Sequence, residues 1–498
     1  MAMEKAFAAS VYDLVAMRAR ANPRALAIVQ RDLRLDYAAL LARVEAIAAD
    51  FAARGLKRGQ RIAILSENRF EYTGAQLACA KLGLIAACLN WRLAEAELHH
   101  CVDLVESALL VTSPRYREVA ETVAKGRPVA AIDALGTALG AGAETQSAAQ
   151  GEDGLLIIYT SGTTGLPKAA VISHRAEIAR MCAMRLDMGV EMTDAYVSWA
   201  PMFHMGGTEH LLATLMCGGT GVIVDGFDAD AIVDALEEFA IGWLMLVPAT
   251  IEPLLECLAA RQAKVRGVKA VGCMADLVPS ATIAAITRAL GAPYLNSFGA
   301  TETGMPPLSA DLIPVGATPD AFPKQLSMMV DLRLLDAAGN EVADGETGEA
   351  CVRGPTLFSG YWNAPATNAE CFAGGWFHMG DLFRRTPQGY DFVGRSKYLI
   401  KSGGENIYPA EIERVLFADA RVNDVIVVRR PDPQWGEVPV AVIARNDASL
   451  DEGAVLQLCR DALAGYKRPR HVRFIEMEAF PRSASGKIIR EEVEAMIG

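Results

Sequence analysis

Residues 61–90 read RIAILSENRFEYTGAQLACAKLGLIAACLN. A β-branched apolar run is followed by a helical apolar period and a second apolar run, which is the signature of a strand–helix–strand unit. Such a unit commits its strands to a parallel sheet, and parallel sheets need helices over their faces. The pattern recurs downstream. Residues 155–159 and 169–173 read as strands flanking a polar loop, a helix begins at 174, and 220–224 reads as another strand. The expected class is therefore α/β rather than a bundle or sandwich. With 498 residues, more than one domain is expected.

The most membrane-like window, residues 73–91, contains Lys81 and reads as a buried helix plus a strand, not as a bilayer span. The first residues, MAMEKAFAAS, place Glu and Lys before any apolar stretch and lead into no signal-peptide core, so a cytoplasmic location is expected. The formal charge of -12 excludes a general polyanion binder, because nucleic-acid affinity rests on many Lys and Arg neutralising phosphates. Ten cysteines without a CxxC pair give neither a zinc ribbon nor a dithiol motif, so they read as reduced, mostly buried thiols. Residues 133–154 are rich in Ala, Gly and small polar groups and read as a surface linker. After VGRSKYLIKSGGENIYP comes a separate block of about a hundred residues. It carries helices near 410–417 and 453–464 and strands near 425–428, 439–444 and 472–475.

Chemistry concentrates first in YTSGTTGLPK at 159–168. Glycines let the backbone N–H groups converge, the hydroxyls of Thr160, Ser161, Thr163 and Thr164 add donors, and Lys168 adds a point charge, so the loop suits a phosphate. The GK[ST] ending of a Walker A loop is missing. Further strings follow in order: PMFHMGG from 201, NSFGATETG from 296, VRGPTLFSGYW from 352, GGWFHMGDL from 374, VGRSKYLIKSGGENIYPAEIE from 393 and PRSASGKIIR from 481.

This ordered set, spanning nearly the whole chain, resembles the adenylate-forming superfamily of acyl-CoA synthetases, nonribosomal adenylation domains and luciferases, and most closely the acyl-CoA synthetases. The resemblance implies a large N-terminal domain, 1–396, of mostly parallel sheets covered by helices. It also implies a small α+β C-terminal domain, 397–498, that rotates about a hinge at Lys397. The implied reaction is attack of a carboxylate on the α-phosphate of ATP, giving an acyl-adenylate and pyrophosphate, followed by displacement of AMP by the thiol of coenzyme A. An anion must then approach a tetra-anion, so magnesium, lysine and backbone donors suit the site.

Matched residue by residue, the resemblance assigns phosphate binding to Thr160, Ser161, Gly162, Thr163, Thr164, Gly165 and Lys168, and α-phosphate contact to Thr301. Glu302 becomes the Mg2+ ligand, a hard carboxylate donor. Phe298 takes the adenine-stacking position, where the family often has Tyr and its hydroxyl. Asp381 and Arg395 fall on the ribose, Lys487 on the adenylation half-reaction, and His204 on the gate of the acyl pocket. Gly403 and Gly404 border the path of the pantetheine arm. The segment VGCMADLVP departs from the family string, with Met274 and Asp276 where a small residue and proline are usual.

No Lys or Arg falls within 203–207, 272–275 or 299–306, which predicts an uncharged acyl tail in a pocket that bulk at Gly206 or Gly304 would shorten; Glu209 and His210 are left to meet a polar group. No Asp stands where amino-acid-activating relatives hold the α-amino group, leaving fatty, aromatic and alicyclic acids open. The alternatives are a stand-alone adenylating enzyme that loads a carrier protein, a non-catalytic adenylate or acyl-CoA binding relative, and a luciferase-like oxygenase. The sequence stops eleven residues after Lys487, so no fused carrier is expected. The implied partners are a small carboxylic acid, ATP and CoA, with no nucleic acid and no membrane span, and a homodimer is left open.

Overall fold

The computed structural model describes residues 10–137, 146–160, 166–402, 405–482 and 487–497. The described chain divides into two compact units. The first comprises Met1–Asp320, Gln325–Asp331 and Arg353–Phe372, and the second Ala321–Lys324, Leu332–Val352 and Ala373–Gly498.

Two sheets organise the first unit. One has six strands in the order Val129–Ala131, Leu109–Thr112, Arg61–Leu65, Ile85–Cys88, Gly154–Thr160, Lys168–Ser173. All its pairings are parallel except the last, an antiparallel hairpin. Arg61–Leu65 and Ile85–Cys88 pair in parallel on either side of helix Phe70–Leu82 in the chain, the unit expected from 61–90. Ile62 to Leu65 and Ile85 to Cys88 are buried without alternation, as strands covered on both faces must be. Lys81 is buried in that helix and forms an ion pair with Glu45. The second sheet has eight strands, from Leu312–Ile313 at one edge to Leu33–Asp36 at the other, with parallel pairs inside and an antiparallel pair at each edge.

The second unit holds an antiparallel four-stranded sheet that the sequence pattern did not reveal, ordered Asp331–Leu335, Thr347–Arg353, Phe377–Thr386, Gly389–Arg395. Beyond it, Val422–Asp432 and Gly436–Arg445 form a long hairpin, and His471–Phe474 pairs in parallel with the second strand. The alternation of a strand splits this hairpin between two cores. Val425 and Val427 pack with Ile412, Leu416, Val455 and Cys459 of the helices Pro409–Phe417 and Glu452–Ala462, whereas Ile426 and Val428 pack with Val493 and Ile497 of helix Arg490–Ile497. The expected division at 396/397 differs from these units, which group the four-stranded sheet with the C-terminal residues. Lys397 therefore lies inside the second unit, in the 3-10 turn Ser396–Tyr398.

Seven of the ten cysteines are buried. Among the described residues no helix is long and apolar enough to cross a membrane. Part of the expected linker, 138–145, lies outside the described residues.

Candidate active site

In the first unit, Thr160 ends strand Gly154–Thr160 and Lys168 begins strand Lys168–Ser173, and the two are register partners. The hairpin thus presents both at the same end of the strand pair; Ser161, Gly162, Thr163, Thr164 and Gly165 themselves lie outside the described residues. Segment 358–362 runs along the other edge of Lys168–Ser173, with Ser359 donating to Val171 O, Val171 to Gly360 O and Trp362 to Ala169 O. This places Tyr361 between two of the expected site residues. Lys168 Nζ lies 5.3 Å from the centre of the Tyr361 ring, and the Tyr361 hydroxyl donates to Glu302 Oε1 at 2.6 Å.

Thr301 and Glu302 sit in the turn of a second hairpin, strands Phe298–Ala300 and Gly304–Leu308. Three anchors fix this turn. Thr303 Oγ1 accepts from Ala300 N, the Glu302 carbonyl accepts from Phe358 N, and Arg180 donates from Nη2 to the carbonyls of both Thr301 and Glu302 at 3.1 Å. Arg180 belongs to helix His174–Met188, whose first turn is capped by the Ser173 hydroxyl. Its remaining donors go to Thr356 O and to Glu209 Oε1, the latter at 2.6 Å. Segment 299–306 carries no Lys or Arg of its own, yet a cation reaches it from helix His174–Met188. Its charge is nevertheless committed, because Arg180 and Glu209 form a buried ion pair.

His204 occupies the N-cap position of helix Met205–Cys217, its ring tilted against Phe203 at 4.8 Å. The chain around it is pinned by Asn68, whose side chain donates to Ala200 O and Val224 O and accepts from Met202 N. A Cβ on Gly207 would lie 2.3 Å from Pro201 O, so the close approach of helix and loop demands glycine there. Further along the helix, His210 lies between aromatic neighbours, 4.5 Å from Trp243 and 5.7 Å from Tyr196, ring centre to ring centre. In the atypical segment, Met274 adopts a left-handed backbone with φ 49° and donates its N–H to Ser297 Oγ.

In the second unit, Asp381 of strand Phe377–Thr386 and Arg395 of strand Gly389–Arg395 are register partners, and Arg395 Nε donates to Asp381 Oδ1 at 3.0 Å. Asp381 is buried while half of the Arg395 side chain remains exposed. The adjoining Gly380 is held from both sides. Its N–H donates to Glu349 Oε1 and its carbonyl accepts from Ser396 Oγ. His378 Nδ1 lies 3.0 Å from Glu349 Oε2 and 3.3 Å from Cys351 Sγ, and burial pushes that thiol up to about 12. Lys397 Nζ pairs with Glu491 Oε1 at 2.8 Å, sharing it with the Tyr398 hydroxyl. Burial pulls the Lys397 pKa down, but the hydrogen bonds and charges of Glu491 and Tyr398 together outweigh it and leave the pKa raised. Lys487 is exposed, beside the bridge between Arg482 and Ile488. Gly403 and Gly404 lie outside the described residues.

Tyr361, Arg180, Asn68 and Glu349 are the residues that sequence reasoning did not single out. Tyr361 and Glu349 stand within or beside quoted strings, so a search of those strings for further polar side chains finds them. Asn68 stands in the 61–90 string, where the fold pattern rather than any polar motif drew notice, and Arg180 carries no such signal.

Comparison with known proteins accounts for this arrangement. The AMP-binding enzyme model matches residues 15–362, and the AMP-binding enzyme C-terminal domain model matches 411–487. A feruloyl-CoA synthase of Amycolatopsis sp is 33% identical over 97% of this chain and 98% of its own. An indoleacetate–CoA ligase of Aromatoleum aromaticum is 34% identical over 95% of each chain. The crystal structure of o-succinylbenzoate–CoA synthetase from Bacillus subtilis with its acyl-adenylate superposes with a TM-score of 0.85 at 26% identity, covering 97% of both chains. The same enzyme with ATP and magnesium gives 0.84 at 26% identity, covering 96% of this chain and 98% of that one. With a family model over most of its length and relatives matched from end to end, the chain belongs to the AMP-binding enzyme family of adenylate-forming enzymes, as an AMP-forming acid–CoA ligase that uses ATP, Mg2+ and CoA.

Proposed function

We propose that the acid is an aromatic carboxylate. The observation that carries this reading is the wall built by Tyr196, Trp243 and His210 beside the helix that His204 begins, whose ring contacts form a face suited to an aryl group. Two relatives that cover this chain almost completely are named for aryl acids, ferulate and indoleacetate, which supports the same class.

In this reading the acid passes His204 and Gly206, and its carboxylate meets the α-phosphate of ATP beside Thr301. Thr160, Lys168 and the Ser, Thr and Gly residues at 161–165 take the phosphates, and Phe298 offers its ring to adenine. The residues present fit a hard cation, since the Glu302 carboxylate is already oriented by Tyr361 and keeps lone pairs for a metal. Magnesium, when bound, offsets the phosphate charge that otherwise repels the acid. The Asp381–Arg395 pair serves the ribose hydroxyls. Lys487 bridges the incoming carboxylate and the phosphate during adenylation, and Gly403 and Gly404 border the CoA path during thioester formation. Lys397 is the hinge between the two arrangements.

Acid-dependent pyrophosphate release, with and without CoA, tests the reading across aryl, straight-chain and alicyclic acids of matched size. Aryl acids are expected to give the highest kcat/KM; a straight-chain or alicyclic acid outperforming every aryl acid would remove the aromatic assignment.

A further inference from the structure

At the far side of the Thr301–Glu302 turn lies a small cavity between helices His174–Met188 and Met205–Cys217, lined by Glu177, Arg180, Glu209 and His210 with Met181 and Met305. It has room for about one water-sized group. Burying four polar side chains around so small a space is costly unless each finds a partner. Two find theirs: Arg180 and Glu209 pair with each other, and the other Arg180 donors are held by the carbonyls of Thr301, Glu302 and Thr356. The other two are each left with an unpaired atom, although His210 Nδ1 meets Met184 Sδ at 2.9 Å. Glu177 is 1% and His210 6% exposed, yet Glu177 Oε2 and His210 Nε2 have no hydrogen-bond partner.

Their protonation follows from the surroundings. Burial, and then the charge of Glu209, push the Glu177 carboxyl well above the usual range, while burial, and then Arg180, push His210 down to about 3. Glu177 is therefore a neutral acid with a proton to donate, and His210 a neutral imidazole. Together they offer one donor and one acceptor to a single small group, and the set carries no net charge once Arg180 and Glu209 cancel. A second carboxylate finds no unused cation here.

The position fits the end of an aryl acid. His210 lies six residues beyond His204 on one helix, about 9 Å of axial rise, with the Tyr196 and Trp243 rings beside it. Building on the aromatic-acid reading, we infer that Glu177 and His210 form a specificity subsite that hydrogen-bonds a neutral polar group, a phenolic hydroxyl or a ring N–H, at the far end of the acid.

The test is a set of matched acids in the pyrophosphate-release assay with CoA: cinnamate against 4-hydroxycinnamate, phenylacetate against 4-hydroxyphenylacetate, and 1-naphthylacetate against indole-3-acetate. In the series turned over best, the polar member is expected to have a kcat/KM higher by about tenfold or more, because its apolar partner leaves two buried polar atoms unpaired. Glu177→Leu and His210→Phe should bring that ratio within about threefold of unity, whereas Glu177→Gln, which keeps a donor and an acceptor, should retain most of it. A parent ratio near unity in every series overturns the subsite, and so does a ratio that survives both Glu177→Leu and His210→Phe. If one variant fails to fold, the other variant and the parent ratios still decide. Aryl turnover without polar preference overturns the subsite and leaves the aromatic reading standing; turnover of straight-chain acids with none of aryl acids overturns both.

Discussion

Tyr361 meets two proposed functional side chains at once, its ring under Lys168 and its hydroxyl on Glu302. Tyr361→Phe keeps the ring and removes only the hydrogen bond that orients the carboxylate. Loss of one such bond in a polar site corresponds to a fewfold to roughly tenfold effect. The expected outcome is a kcat/KM for ATP lowered by about that amount, with a higher Mg2+ concentration needed for half-maximal rate; an unchanged Mg2+ dependence would mean that Tyr361 does not act through Glu302. The sequence shows Tyr361 only as one letter of VRGPTLFSGYW, because its partners are brought to it by the strand edge at Lys168–Ser173. Asp381 and Arg395 were legible as candidates for the opposite reason: each stands in a string with a recognisable resemblance, and the structure makes them register partners. Glu177 and Arg180 are three apart on one helix, a spacing that usually marks a solvated ion pair. Only the burial of that helix face turns them toward each other's neighbours instead.

Among elements, the hairpin Phe298–Ala300 and Gly304–Leu308 shows how a pocket argument made from strings can name a residue for the wrong reason. Bulk at Gly304 was expected to shorten the acyl pocket. Its φ of 75° and a Cβ position 2.5 Å from Arg180 Cδ show that a side chain there strains the turn and strikes the residue that holds Thr301 and Glu302. Gly304→Ala should therefore cost about 1–3 kcal/mol of stability, seen as a lower Tm, and should lower turnover with every acid alike. Gly206→Ala is the contrasting case, since its Cβ would meet the flexible Met245 side chain at 2.7 Å. Its expected effect is a changed ranking of acids at little cost in Tm; equal losses across all acids would place Gly206 outside the pocket. The parallel sheets were legible because fully buried strands alternate with amphipathic helices. The four-stranded antiparallel sheet was not, because Asp331–Leu335 and Gly389–Arg395 carry few buried apolar residues and read like loop.

At the scale of the whole molecule, two half-reactions make separate demands on one small C-terminal region. Lys487 is proposed for adenylation, and Gly403 and Gly404 for the thiol. Lys487→Ala should lower acid-dependent pyrophosphate exchange by about 100-fold or more, the usual cost of removing a charge-stabilising donor. Conversion of presynthesised acyl-adenylate to thioester should fall far less, and equal loss of both activities would sink the assignment. Lys397 tests whether the chain must rearrange between them. Its turn, Ser396–Tyr398, directly follows the strand that carries Arg395, and hinges are commonly a few residues at the end of an element. Its side chain makes a half-exposed pair with Glu491, an interaction that contributes less than about 1 kcal/mol in such settings. Lys397→Ala removes that pair but leaves the backbone free, so both half-reactions should persist at near-parent rates. Lys397→Pro fixes φ near about -65° and should hold one arrangement. Pyrophosphate exchange is then expected to remain while thioester formation from the adenylate is almost lost, a split that loss of the ion pair alone cannot produce because Lys397→Ala shares it. Full turnover of acid, ATP and CoA by Lys397→Pro would show that the torsions of this residue do not govern the passage from one half-reaction to the other.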